Sequence, residues 1–162
     1  MRDFNTRPTE RSSCSWITPR EVLRELGSFD LDPCAAVSQP WPCAAKSYTI
    51  RENGLLQPWH GRVWCNPPYG EAARAFMERM AAHAGGGLAL VFARTDTRWF
   101  HASILRSACA MLFWLGRIRF CREDGSQASA ANAASVLVAW QASELPLLRS
   151  LDERGIGKLV LL

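Results

Sequence analysis

Two consecutive prolines, Pro67 and Pro68, follow the apolar run Val63-Trp64-Cys65 with only Asn66 between, and Tyr69 and Gly70 come next. Proline has no amide proton to give a sheet and holds φ near −65°, so a strand cannot continue through this pair. The chain is therefore predicted to leave a strand over residues 61–65 in a rigid, extended turn whose carbonyls point outward. The Asn66 side-chain oxygen and the Pro67 carbonyl can then accept both protons of one NH2 group, while the Tyr69 ring offers a flat face to a planar partner. Read alone, the tetrapeptide is either such a grip or only a stiff surface turn.

A grip of this kind suits an exocyclic amine conjugated with its ring, such as that of adenine. The lone pair of such a nitrogen is delocalised, which makes it a poor nucleophile. Two acceptors in its plane draw it toward tetrahedral geometry and free the pair for attack on an activated methyl group. Catalysis then consists of positioning and electrostatics, without a covalent enzyme intermediate. Asn66, Pro67, Pro68 and Tyr69 are the catalytic candidates.

Patterning along the chain sets the frame around this turn. Residues 1–15 are polar and aperiodic and read as a flexible arm, leaving 16–162 as a single domain. Thr18-Pro19-Arg20-Glu21 has the form of a capping box with proline at the first helical position, and Val22, Leu23 and Leu26 make one apolar face before Gly27, predicting a helix over 19–26. A short strand over 29–32 ends at Pro33, and a proline-rich loop occupies 33–59 with one short strand near 47–50. Further strands are predicted over 88–93, 111–115, 117–121 and 135–140, and helices over 71–83, from Thr97 through 106, and over 144–153. A small-residue polar loop spans 123–132, and an apolar run over 158–162 closes the sequence.

Strands alternating with helices predict an α/β fold with an open, mostly parallel sheet and helices on both faces. Ligands of such sheets bind beyond the carboxyl ends of the strands. Asp32-Pro33 and Asn66-Pro67 both fall at such ends, so a shared pocket is expected there.

With 162 residues and 48% hydrophobic content, the chain can bury a real core but has no room for a separate recognition domain. It lacks an apolar run long enough to span a bilayer, about 18 residues, and its first residues lack a signal-peptide core, which predicts a soluble cytoplasmic protein with no membrane partner. The six cysteines contain no Cys-x-x-Cys pair, so no metal is expected and reduced thiols are the default. Of 19 basic residues only Lys46 and Lys158 are lysine. Such arginine richness suits forked contacts with phosphate, or else reflects only a GC-rich coding sequence.

Several segments recur together in one order: Trp16-Ile17-Thr18-Pro19, Phe29-Asp30-Leu31-Asp32-Pro33-Cys34-Ala35-Ala36, Asn53-Gly54-Leu55 with Trp59, Trp64-Cys65-Asn66-Pro67-Pro68-Tyr69-Gly70, Ala93-Arg94-Thr95-Asp96-Thr97-Arg98-Trp99-Phe100 and Gly116-Arg117-Ile118-Arg119-Phe120. As an ordered set, covering most of the chain, they resemble the phage-type DNA N6-adenine methyltransferases, a Dam-like family dependent on S-adenosylmethionine. The resemblance implies a Rossmann-like methyltransferase fold, transfer of a methyl group from S-adenosylmethionine to adenine in DNA, and a phage or prophage origin with action in the bacterial cytoplasm. A monomer is favoured, without a sequence feature that decides it.

By the same resemblance Trp16, Thr18 and Pro19 line the methionine end of the cofactor, Asp32 lies near its sulfonium or amino group, and Pro33, Cys34 and Ala35 form the turn that passes it. Asn66 is shared between the two ligands. The glycines usual in a nucleotide-binding turn are replaced here by Cys34, Ala35 and Ala36, and Asp32 is otherwise a turn-capping residue. Asn53 and Leu55 stand where the family more often has Asp-Gly-Leu, leaving ribose contact to Glu52 or to packing alone. An amine inside a stacked duplex is out of reach, so the base must be flipped onto an aromatic, with Tyr69 as the platform. Arg94, Arg98, Arg117 and Arg119 are candidates to hold phosphates, and Phe120 is either a second wall or a core residue. The competing functions are the same chemistry on RNA adenine or a protein glutamine, and a catalytically silent DNA-binding remnant.

Overall fold

The computed structural model describes residues 16–68 and 71–162. The arm expected over 1–15, and Tyr69 and Gly70, lie outside the described residues. Strands β1 (Leu31–Asp32), β2 (Lys46–Ser47), β3 (Val63–Cys65), β4 (Gly87–Phe92), β5 (Ala110–Trp114), β6 (Ser135–Ala139) and β7 (Gly157–Leu161) form one sheet in the order β2-β1-β3-β4-β6-β5-β7. The helices are α1 (Arg20–Leu26), α2 (Glu71–Ala82), α3 (Arg98–Phe100), which continues as a π-helical turn over His101–Leu105, and α4 (Leu145–Glu153).

Successive residues of the central strands point to opposite faces, and both faces are covered. Cys65, Ala89, Val91, Val136 and Val138 pack against Phe76, Met77 and Met80 of α2 and against Phe100 and Ile104. On the other face Trp64, Leu88, Leu90, Leu137 and Ala139 meet Val22 and Leu26 of α1 and Leu148 and Leu151 of α4. Burial on both sides is why these strands read as unbroken apolar runs, and helices lie on both faces as expected. Where β3 meets β4, Val63 pairs with Gly87, at φ +127°, and a Cβ there would stand 2.0 Å from the Val63 carbonyl oxygen. Only glycine allows that approach.

The expected mostly parallel sheet is corrected to a mixed one. β2, β1, β3 and β4 are parallel neighbours, whereas β4 with β6, β6 with β5 and β5 with β7 are antiparallel, and by paired residues the sheet is mostly antiparallel. The reason is the connection from β5 to β6: residues 115–134 contain no helix to carry the chain back for a parallel pairing. Because β5 is antiparallel to β6, itself antiparallel to β4, β5 runs in the direction of β4 and ends at the same sheet edge as β1, β3 and β4.

Residues 117–121 are not the predicted strand. Gly116 turns the chain at φ +79°, and the segment makes isolated bridges, Cys121 pairing with Ile17 and with Gln127. Pro19 is the N-cap of α1 rather than its first residue, and the Thr18 side chain makes no cap hydrogen bond. The closing apolar run forms β7, at the sheet edge. At the opposite end of β3, Arg62 donates to both carboxylate oxygens of buried Glu144, at 2.8 and 2.6 Å, and to the carbonyls of Leu26 and Ser28, tying α1 to the start of α4. No described helix is long and apolar enough to cross a membrane.

Candidate active site

Parallel pairing of Leu31 with Val63 brings the ends of β1 and β3 side by side, and the chain turns sharply after each. A cavity of about 450 Å³ opens there, a size ordinary for a small-ligand site. Its walls include Trp16, Thr18, Asp32, Pro33, Cys34, Ala35, Asn53, Leu55, Asn66 and Pro68. All the residues expected from sequence to hold a cofactor thus converge on one space, except Pro19, which is buried at the N-cap of α1 and is not part of the wall.

The loop after β2 forms the outer wall. Asn53 takes φ +53°, and a Cβ on Gly54 would fall 1.9 Å from the carbonyl oxygen of Pro33, so the two turns touch backbone to backbone at a glycine. Trp59 Nε1 donates to the Gly54 carbonyl at 2.8 Å, and Arg79 of α2 donates to the carbonyls of Leu55 and Gln57. Glu52, the acidic residue considered for ribose contact, accepts from the amide and hydroxyl of Thr49 at 2.8 and 2.6 Å, and is not part of the cavity wall. Val37 and Ile50, exposed apolar side chains that sequence reading passed over, also line the cavity. Nothing in the composition of this proline-rich loop, which is about half apolar, sets them apart.

Asp32 is 4% exposed and lines this cavity. Burial raises its pKa from 3.8 to about 7, against the lowering effect of the hydrogen bond from the Cys34 amide, 3.0 Å from Oδ1. A carboxyl so placed is a strong potential partner for a cation, because it has lost water without gaining a positive neighbour. The thiols of Cys34 and Cys65 lie 3.7 Å apart, and burial pushes the Cys34 thiol well up, keeping it protonated. Among the described residues no cluster of His, Cys, Asp or Glu could hold a metal ion.

Asn66 leaves β3 with its amide group fixed: Nδ2 donates to the Trp16 carbonyl at 2.7 Å and to Thr18 Oγ1 at 3.3 Å. On the other side of the same turn is a second cavity, of about 520 Å³, bounded by Pro67, Ala73, Val91, Phe92, Arg94, Asp96, Thr97, Trp99 and Asn132. The Asn66-Pro67-Pro68 turn is therefore a partition, with Asn66 and Pro68 facing one space and Pro67 the other.

The model of the family described as DNA N-6-adenine-methyltransferase (Dam) matches residues 5–153. The chain belongs to the Dam family. It is an enzyme, a DNA methyltransferase acting on N6 of adenine, and DNA is its substrate. Comparison with curated proteins and with solved structures gave no match.

In this Dam-family enzyme the basic residues singled out from sequence stand near the site edge. Arg94 and Arg98 follow β4, Arg117 and Arg119 follow β5, both strands end at the edge that carries Asn66, and all four side chains are exposed. Of the two readings of Phe120, a wall of the DNA site or a core residue, the structure supports the core: it is 2% exposed, belongs to the core cluster with Val22 and Leu26, and meets the Trp16 ring edge-on at 6.3 Å. Its alternation with the exposed arginines of Arg117-Ile118-Arg119-Phe120 carried the burial signal. Asp96, Trp99 and Asn132 of the second cavity were missed. The first two sit inside a recognised segment without an assigned role, and Asn132 closes a small-residue loop that has no distinguishing composition. Tyr69, the expected stacking platform, lies outside the described residues.

Proposed function

We propose that S-adenosylmethionine occupies the cavity beside Asp32, that a flipped adenine enters the cavity beyond Pro67, and that the Asn66-Pro67-Pro68-Tyr69 turn joins them. The observation that carries this reading is the partition itself: one turn of rigid acceptors borders two cavities, each large enough for a small planar ligand. The parallel half of the sheet, β2-β1-β3-β4, then serves as a Rossmann-like methyltransferase core with its ligands at the strand ends.

The residues present suit the cofactor. Asp32 offers a buried acid to a cationic ligand, Ala35 and Gly54 let backbone come close, and Trp16 and Leu55 supply apolar wall. When bound, S-adenosylmethionine supplies an electrophilic methyl group. The enzyme's own contribution is positional: Asn66 Oδ1 and the Pro67 carbonyl accept from the amine and expose its lone pair, Tyr69 stacks on the ring, and Arg94, Arg98, Arg117 and Arg119 hold phosphates. Asn53 and Leu55 complete the cofactor's ribose and adenine side by packing.

Calorimetric titration of the enzyme with S-adenosylmethionine tests the cofactor assignment. One molecule bound per chain is expected, displaced by S-adenosylhomocysteine, and an absence of heat would overturn it. Tyr69→Ala should weaken binding of an adenine-containing oligonucleotide by about 1–3 kcal/mol, through loss of base stacking. Fluorescence anisotropy measures this, and unchanged affinity would remove Tyr69 from the base pocket. Arg119→Ala should lower DNA affinity and reduce the slope of log affinity against log salt by about 1. An identical slope would reject a phosphate contact.

A further inference from the structure

Asn66 has two chemically opposite ends, and only one of them can accept from an amine. A carbonyl can only accept a hydrogen bond, so the Asn66 atom 2.7 Å from the Trp16 carbonyl oxygen is the NH2 nitrogen. The second proton of that NH2 points to Thr18 Oγ1 at 3.3 Å, and among the described residues Oδ1 accepts no hydrogen bond. The Trp16–Thr18 segment is itself held from three sides. Ile17 exchanges backbone hydrogen bonds with Cys121, at 3.0 and 2.9 Å, Trp41 Nε1 donates to the Thr18 carbonyl at 3.0 Å, and α1 begins directly beyond. Thr18 is 1% exposed, and its hydroxyl is free of the capping role the sequence suggests.

We infer that Thr18, together with the Trp16 carbonyl, is a positioning element for Asn66: it fixes the amide so that Oδ1, not NH2, faces the substrate amine. This rests on the assignment of Asn66 as the amine grip. Turning the amide over would set two acceptors against each other at Trp16 and aim a donor at a donor in the substrate. Phe120 and Cys121 take part indirectly, since the bridge at Ile17 and the Phe120 ring against Trp16 hold the segment in place. The segment also borders the cofactor cavity, so cofactor and catalytic amide share one support.

The test compares Thr18→Val, Thr18→Ser and Asn66→Asp with the wild-type enzyme on unmethylated genomic DNA at saturating S-adenosylmethionine. At saturating cofactor, Thr18→Val should lower kcat about tenfold, as expected for one hydrogen bond, a loss that a cofactor contact alone would not produce. Thr18→Ser should restore kcat. Asn66→Asp keeps an acceptor for the amine but presents a carboxylate to the Trp16 carbonyl. It should lose about 100-fold in kcat at pH 8 and recover part of that as pH falls and the protonated carboxyl donates to Trp16. Wild-type kcat in Thr18→Val with weakened cofactor affinity would overturn the inference by making Thr18 a cofactor contact alone. Full activity of Asn66→Asp at pH 8 would overturn it even if Thr18→Val does not fold. A wild-type enzyme that leaves adenine unmethylated would instead overturn the assignment of Asn66 as the amine grip.

Discussion

Replacing Asn66 by alanine should abolish methyl transfer, with kcat reduced by at least about 100-fold, the scale seen when one preorganised polar group of an active site is removed. The side chain ends β3 in a turn that Pro67 and Pro68 make rigid, and its nitrogen is already bound at Trp16 and Thr18. On the proposed assignment, alanine removes one of two acceptors for the amine and leaves only the Pro67 carbonyl, which cannot by itself hold both protons of an NH2 group in plane. Asn66 also borders the cavity beside Asp32 that is proposed to hold the cofactor, so cofactor affinity should weaken, but only moderately, because Asp32, Trp16 and the loop at Asn53 to Leu55 remain. Steady-state kinetics combined with calorimetry separates the two effects. Unchanged turnover would remove Asn66 from the chemistry.

Cofactor affinity should rise with pH through about 7, and Asp32→Asn should abolish that dependence. With its pKa raised to about 7 by burial, Asp32 is mostly neutral at pH 6 and mostly anionic at pH 8, when it can attract the positive charge of S-adenosylmethionine. In the free enzyme the same shift acts on stability with the opposite sign. A carboxyl whose folded pKa exceeds its unfolded value of 3.8 leaves stability intact below that value and removes it progressively as pH rises toward 7, by on the order of 4 kcal/mol in full. Asp32→Asn should therefore melt above the ligand-free wild type at pH 8, yet bind S-adenosylmethionine more weakly by about tenfold or more. Thermal melts and titrations at pH 5, 6, 7 and 8 measure both. Parallel melting curves for the two proteins across that range would show that Asp32 is not buried as a charge.

Much of this arrangement was legible from local pattern. The helix over Glu71–Ala82, the apolar strands β4 and β6, and the exit of β3 at Asn66 follow from apolar spacing, glycines and prolines close together in sequence. Placing Asp32 and Asn66 in one pocket needed only the rule that ligands gather at strand ends. What escaped depends on contacts between distant residues. The sheet's direction changes at β6, which inserts between β4 and β5 after a helix-free excursion, and no local periodicity encodes that order. Residues 117–121 carry strand-like alternation, but the left-handed turn at Gly116 takes them off the sheet to meet Ile17. Thr18 has the spacing of a helix cap, and its hydroxyl is drawn instead to a side chain 48 positions away. The second cavity gathers Pro67, Val91, Trp99 and Asn132 from separate segments, so only the folded chain brings it into view.

The fate of a labelled methyl group tests the proposed chemistry most directly. The enzyme is incubated with S-adenosylmethionine labelled in that group and with DNA, RNA and protein offered separately, and the products are digested to nucleosides and amino acids. Label recovered as N6-methyladenosine's deoxy form, from DNA alone and lost with Asn66→Ala, is the predicted result. Label on cytosine, on RNA or on a protein side chain, or undiminished label with Asn66→Ala, would contradict it.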